Sequence, residues 1–511
     1  MTKLYFKCPS TVSISLLMLF FLGCHYVNGQ NNEIQGWVTK ADRSALLQPL
    51  ANAISFKNKP QDLSGVIMVD PSLSYQSLDG FGFALTGGSA ELLIKMDQIE
   101  RSKILQELFG KGDNNISISY IRLTIGASDL NSFVFSYDDL KDGDTDFKLK
   151  KFSLSQDLKD VVPVMKEILA INPNIEIMAS PWSAPTWMKT NNNIHGGKLK
   201  PDCYEVYAQY FVKYIQSMKK EGIDIHAVTI QNEPMNSGNT PSMSWFVNEQ
   251  ADFVKNHLGP AFKAHQLSTK IIVFDHNTDR PDYPLAIYND PDAAQYVDGA
   301  GFHNYRGNME SMSLVHLARP DKNIYFTEQM LTENPESQKI KIAAASHRLI
   351  VGPLQNWSRN IILWNLAADP QNDPHTDNGG CPFCQGAITL DGNEVRRNIA
   401  YYTIGHVSKF VTPSSSRIYT TTPGAASVRL YQDEQRPDVY RTALIENSDV
   451  LPNVAFSTPE GGIVLLVVNN SWDKTSFQIQ YRGRYAKIEL APGSVGTYTW
   501  KEQTESIEKM E

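Results

Sequence analysis

Two glutamates each close an apolar run: Glu233 ends HAVTIQNE (226–233), and Glu328 lies near the end of NIYFTEQ (323–329). A lone carboxylate between asparagine and proline, as in Asn232-Glu233-Pro234, reads as a strand end entering a turn, because proline cannot donate to a ladder. A second carboxylate at an equivalent strand end changes that reading. Paired carboxylates divide the work that glycosidic cleavage needs: one protonates the departing oxygen while the other attacks or supports the anomeric carbon. At a separation of ~5–5.5 Å the second forms a covalent glycosyl intermediate and configuration is retained. An ionised carboxylate at that distance raises the pKa of its neighbour, so one of the pair keeps a proton and serves as acid. We assign Glu233 as acid/base, since Asn232 beside it can hydrogen-bond a sugar 2-hydroxyl, and Glu328 as nucleophile.

Two carboxylates from distant segments meet only if a scaffold brings them together. From Gln76 onward, eight short apolar runs alternate with segments of helical period: 77–85, 119–125, 175–180, 226–233, 270–276, 299–305, 323–329 and 361–367. Between them, Leu158, Val161, Val162, Met165, Ile168 and Leu169 recur at three- and four-residue steps, as do Tyr204, Tyr207, Phe211, Ile215 and Met218. Eight such alternations predict a (β/α)8 barrel, whose chemistry sits at the carboxyl ends of the strands. Read together, those ends bring Arg122, Asp129, Trp182, Asn232, His303, Tyr305 and Trp364 around the two glutamates as candidate substrate-binding residues. Arg122 suits either a sugar contact or an ion pair that keeps Glu328 charged. Trp182 reads as a sugar platform and Trp187 as platform or core in equal measure; His276 and His303 read as hydrogen-bonded supports. Beyond residue 410 the character changes to strand-like runs such as SVRLYQ, GGIVLLVVNN, FQIQYRG and GTYTWK, which predict a β-sandwich over 411–511. The segment 30–75, with GVIMVDPS, is expected to add strands to that sandwich, leaving 76–410 as the barrel.

The bulk numbers agree with a two-part globular protein. The chain has 511 residues, 41% hydrophobic and 20% charged, with a net charge of −8, so it carries no basic excess for nucleic acid. Residues 1–29 combine Lys3 and Lys7 with an apolar stretch from Val12 to Leu22, which predicts an export signal too short to span a bilayer. Cleavage after Gly29 competes with a lipoprotein-type reading in which Cys24 is acylated. Stable membrane insertion is not expected. Cys381 and Cys384 have C-x-x-C spacing with no second pair to complete a metal cage, so a local disulfide is expected in a loop after the eighth strand. That loop reads more readily as a surface turn than as a wall of the cleft.

The motifs Asp-Gly-Phe-Gly (79–82), Ala-Ser-Pro-Trp-Ser-Ala-Pro-Thr-Trp-Met-Lys-Thr-Asn (179–191), Gln-Asn-Glu-Pro (231–234) and Tyr-Phe-Thr-Glu (325–328) resemble glycoside hydrolase family 30. That family contains glucosylceramidases and β-1,6-glucanases. The resemblance implies a retaining hydrolase with Glu233 as acid/base, Glu328 as nucleophile and a first sugar subsite built from Arg122, Asp129, Trp182, Asn232, Tyr305 and Trp364. It implies no metal or cofactor. Where glucosylceramidases read Gly-Phe-Gly-Gly-Ala and then Thr-Asp, this chain reads Gly-Phe-Gly-Phe-Ala (80–84) and Thr-Gly-Gly (86–88), so an aspartate that contacts the sugar there is missing. The stretches 196–201 and 236–243 instead look like the bacterial β-1,6-glucanase branch. A β-glucan is therefore the expected partner, with a glucosylceramidase-type β-glucosidase as the alternative. A xylan-active enzyme and a non-catalytic carbohydrate-binding protein rank lower.

Overall fold

The computed structural model describes residues 33–501 except 63, 424–426, 433–439 and 446–450. The expected export signal and Cys24 lie outside the described residues. Eight parallel strands close into a barrel: β1 (Gly80–Ala84), β2 (Tyr120–Ile125), β3 (Glu176–Pro181), β4 (Ala227–Thr229), β5 (Lys270–Asn277), β6 (Val297–His303), β7 (Asn323–Glu328) and β8 (Ser358–Leu363). The expected barrel is borne out. Its strands read as short continuous apolar runs because barrel strands are buried on both faces, inside by one another and outside by helices. The helix Val161–Ile171 buries Val161, Val164, Met165 and Ile168 along one stripe, and Tyr204–Lys220 does the same with Tyr207, Phe211, Ile215 and Met218.

Inside the barrel, Tyr120, Met178, Ala227, Ile272, Tyr325 and Ile362 form one apolar layer. Side chains alternate along a strand, so the next inward layer toward the carboxyl ends lies two residues on. On β1, Gly82 leaves room for this packing, since a Cβ there would collide with the Tyr120 carbonyl.

The second body is an antiparallel-rich sheet in which Glu33–Thr39 pairs with Ser494–Lys501, while Gly65–Ser77 lies between Ser416–Thr420 and Thr475–Tyr481. The expected sandwich beside the barrel is borne out in class. The run GIVLLVVN (Gly462–Asn469) is apolar without a break because both its faces are covered: Ile463, Leu465 and Val467 join the sheet's own core, and Val464, Leu466 and Val468 join the core shared with the barrel. One run departs from expectation. SVRLYQ (Ser427–Gln432) pairs with Tyr440–Ile445 as a separate two-stranded ribbon. The barrel helix Ile399–Ser408 meets the sheet through His406, whose ring nitrogens lie 2.8 Å from Thr39 Oγ1 and 2.9 Å from Thr497 Oγ1. Burial holds this imidazole down to about 3, so it is neutral and acts as a two-ended hydrogen-bonding link. Among the described residues no helix is long and apolar enough to cross a membrane.

Candidate active site

Two residues above the apolar layer the barrel interior turns polar. Arg122 follows Tyr120, Ser180 follows Met178, Thr229 follows Ala227 and Thr327 follows Tyr325; all four are buried. On β5 the alternation slips. Phe274 and Asp275 both have positive φ (72° and 61°), the β5–β6 register shifts between Gly301 and Phe302, and Asp275 rather than Phe274 is the residue turned inward. Arg122 is fully buried and its guanidinium is shared out: Nη1 to Glu328 Oε2 (2.6 Å), Nη2 to Asn232 Oδ1 and Asp275 Oδ2 (both 2.8 Å), and Nε to Ser180 Oγ (3.1 Å). Thr327 Oγ1 donates to Asp275 Oδ1 at 2.5 Å, and Thr229 Oγ1 stands 2.7 Å from Asp275 Oδ2. Burial opposes the charge on Asp275, but Arg122 and His303 outweigh it and hold this carboxyl far below the ordinary range.

Glu328, the last residue of β7, also takes a 3.1 Å hydrogen bond at Oε1 from Tyr305 Oη, which in turn accepts the Met330 amide at 2.9 Å. Glu233 comes just past β4 in the left-handed region (φ 48°), a conformation that costs a non-glycine residue on the order of 1–3 kcal/mol and persists where the surroundings enforce it. Its amide donates to the Asp275 carbonyl (3.0 Å). Oε2 accepts Asn236 Nδ2 at 2.6 Å and Asn239 Nδ2 at 3.4 Å, and Oε1 lies 3.1 Å from His303 Nδ1. His303 Nε2 faces Asp275 Oδ1, also at 3.1 Å. One oxygen of Glu233, one oxygen of Glu328 and one nitrogen of His303 lie within 4.8 Å of one another. That trio has the donor types to hold a cation. Arg122 and His303 already supply two positive charges to the three carboxylates of this cluster.

The proton is not where carboxylate pairing alone would put it. Burial disfavours charge on His303, but Glu328, Asp275 and Glu233 together raise it to about 10, so the imidazolium is the resting form. Burial likewise works against an ionised Glu233, yet the His303 hydrogen bond and charge, with help from His276, hold it down to about 2. The expectation that Glu233 is the raised member is therefore corrected: burial, with the Glu233 charge adding to it, raises Glu328 against the pull of His303 and Arg122, and Glu233 keeps its proton one bond away on His303. Asp129, buried near both glutamates, is raised to about 8, chiefly by burial and then by the charges of Glu328 and Glu233. It sits at neutral pH as a carboxylic acid able to donate a hydrogen bond.

These groups face a cavity of about 690 Å³, lined among others by Asp129, Glu233, His276, Tyr305, Glu328 and Trp364. The structure thus brings every predicted site residue to one mouth, but not all of them to its surface. Arg122 and His303, expected to bind substrate, are fully buried with their polar atoms taken by protein partners, so they position the glutamates and do not line the cavity. Asn232 holds Oδ1 against Arg122. Trp364 lines the cavity, while Trp182 stacks on it with ring centroids 5.2 Å apart and takes the Arg122 guanidinium 5.0 Å from its own ring. Trp187 is settled as core: it is buried, with Nε1 donating to Asp138 Oδ2 at 3.0 Å. The Cys381–Cys384 disulfide forms, and its loop is a cavity wall, against the expected surface turn. Cys384 packs with Trp182, Trp364 and Leu130.

Sequence reasoning missed Asp275, Asn236 and Asn239. Asp275 carried a signal, being an acid inside the apolar run KIIVFDH. The asparagines carried only their place behind Pro234.

The glycosyl hydrolase family 30 TIM-barrel domain matches residues 78–411, and that family's β-sandwich domain matches 439–498. Endo-1,6-beta-D-glucanase BGN16.3 of Trichoderma harzianum is 35% identical over 404 residues, covering 74% of this chain and 79% of that protein. Lysosomal acid glucosylceramidase of Mus musculus is 26% identical over 466 residues, covering 86% and 84%. The solved structure of the endo-beta1,6-glucanase BT3312 superposes with a TM-score of 0.80 at 34% identity, covering 92% of this chain and all of that one. With two carboxylates sharing a histidine at the mouth of such a barrel, the chain belongs to glycosyl hydrolase family 30.

Proposed function

We propose that this protein is a retaining endo-β-1,6-glucanase. The observation that carries the reading is the approach of a Glu233 and a Glu328 oxygen to within 4.8 Å in an open cleft, close to the ~5–5.5 Å of double displacement. Relatives named endo-1,6-glucanases, at 34–35% identity, support the linkage.

Glu328 attacks the anomeric carbon, and the bond to the departing oxygen breaks. Glu233 supplies the proton to that oxygen after drawing it from His303 Nδ1 across their 3.1 Å contact, which leaves His303 neutral. Glu328 is charged at that moment beside Arg122, whose 2.6 Å hydrogen bond favours the anion. In the second half Glu233 takes a proton from water, and the resulting hydroxyl displaces Glu328 from the sugar. Asn232, its oxygen fixed by Arg122, offers its amide hydrogens to the 2-hydroxyl; Asp129 donates to a ring hydroxyl; Trp364 and Tyr305 border the first subsite.

A glucosylceramidase reading is disfavoured at Gly87, the position of the missing aspartate. A Cβ there would run into the Asn131 side-chain amide, so the space is occupied. The apolar stretch near the start supports an exported protein, with Cys24 as an alternative lipid attachment point, and the pattern of runs supports the division into 1–29, 30–75, 76–410 and 411–511.

Linear β-1,6-, β-1,3- and β-1,4-glucans, with the anomer of the new reducing end followed by NMR, test the reading. Short β-1,6-oligosaccharides appearing first as β-anomers are expected. Turnover of glucosylceramide or an aryl β-glucoside with no cleavage of β-1,6-glucan would overturn it.

A further inference from the structure

The cavity wall formed by residues 379–384 does nothing in the mechanism above, and it carries an aromatic ring that protein structure alone does not explain. Phe383 lines the same cavity as Glu233 and Glu328 and is 61% exposed, whereas Trp182 and Trp364 are buried and Tyr305, also exposed there, has its hydroxyl committed to Glu328 and the Met330 amide. A solvent-facing phenylalanine inside a polar cleft loses hydration cost only when something apolar covers it. The C–H face of a pyranose is such a cover.

The surrounding loop is built to hold that ring still. Cys381 and Cys384 are joined, which fixes both ends of the Pro382-Phe383 pair. Cys384 is anchored on the Trp182–Trp364 stack. At the other end, Gly379 (φ 130°) and Gly380 pass so close to Thr240, Thr376 and Asp129 that a Cβ on either would collide. Thr240 donates Oγ1 to the Asn378 carbonyl (2.6 Å) and its amide to the Gly379 carbonyl (3.3 Å), tying this wall to the loop that bears Asn236 and Asn239, the partners of Glu233. Glu233 protonates the departing oxygen, so the loop joined to its own borders the leaving-group side.

Resting on the glucanase reading above, we propose that Phe383 is the stacking platform for the glucosyl unit on the leaving-group side of the scissile bond, and that the Cys381–Cys384 disulfide is its positioning element. A 1,6-linkage adds a rotatable bond between neighbouring sugars, and a fixed ring offsets the entropy of ordering the second one.

The test uses the full-length oxidised protein on β-1,6-gluco-oligosaccharides. Phe383→Ala lowers kcat/KM about tenfold, mainly through KM, while Phe383→Trp keeps it and Phe383→Leu does not. Phe383→Ala within twofold of the unaltered protein, or Leu serving as well as Trp, overturns the platform. Removing the disulfide (C381S with C384S) produces a similar loss in the presence of Phe383 but less than a further twofold on top of Phe383→Ala; a full additional loss overturns the positioning role. Failure of the glucanase reading shows separately, as no cleavage by the unaltered protein, and the same variant ratios are then read on the glucan it does cleave.

Discussion

The two glutamates sit in neighbourhoods of opposite construction. Glu328 ends a strand and is gripped by donors that belong to the barrel or are fixed to it, Arg122 from β2 and a Tyr305 hydroxyl pinned by the Met330 amide. Glu233 lies past a strand of three residues, in a left-handed conformation, and two of its partners are asparagines of its own loop. A group that forms a covalent bond to sugar needs a fixed approach. A group that gives and takes a proton in alternate steps needs a partner to exchange with, and His303, an imidazolium whose Nδ1 lies 3.1 Å from Glu233 Oε1, is placed to be that partner.

Removing each carboxylate in turn should expose the difference most strongly. Glu328→Ala loses at least about 10⁴-fold in kcat on an aryl β-glucoside, and azide, entering from the vacated face, restores turnover with an α-glycosyl azide. Glu233→Ala loses about 10²–10⁴-fold on glucan, and azide gives the β product; the same anomer from both variants breaks the assignment. Arg122→Met takes away one of the two cations of the cluster and leaves Asp275 and Glu328 to His303 alone, and denaturant unfolding should register a loss of about 3–5 kcal/mol. An unchanged midpoint would mean that the strand-side grip is not electrostatic.

The His303→Gln variant sharpens the contrast through pH. Raised from 6.5 to about 10 in the folded protein, His303 binds a proton the unfolded chain does not hold between those values. Its contribution to stability is whole below pH 6.5 and is lost as pH rises toward about 10. The melting temperature should fall across that window in the unaltered protein and fall less in His303→Gln, and the alkaline limb of kcat/KM should move to lower pH. An alkaline limb that stays in place sinks the proton store. The smallest effect belongs to Asn236→Ala, which removes one charge-assisted hydrogen bond: a drop of about tenfold on substrates with poor leaving groups and little on activated aryl glucosides.

The barrel was legible because its strands are short apolar runs ending in polar residues, and the carboxylate pair because both members fall at such ends. Asp275 escaped for a local reason. Strict alternation from Ile272 points to Phe274, and only the two left-handed residues shift the inward position by one. The proton's location escaped for a different one: whether Glu233 is raised or lowered depends on an imidazole from β6 whose distance no spacing in the sequence encodes. Residue types likewise could not tell Arg122 as a sugar ligand from Arg122 as a buried clamp, since both need a guanidinium at the same strand end.

The pairing of Glu33–Thr39 with Ser494–Lys501 has a consequence for how the molecule is made. A ribosome releases the whole barrel before it releases the later of these two strands, so the earlier one waits with an open edge through most of synthesis. Until the late strand arrives, the sheet also lacks the neighbour of Gly462–Asn469, and a chain halted before residue 494 would present two unpaired edges to other chains.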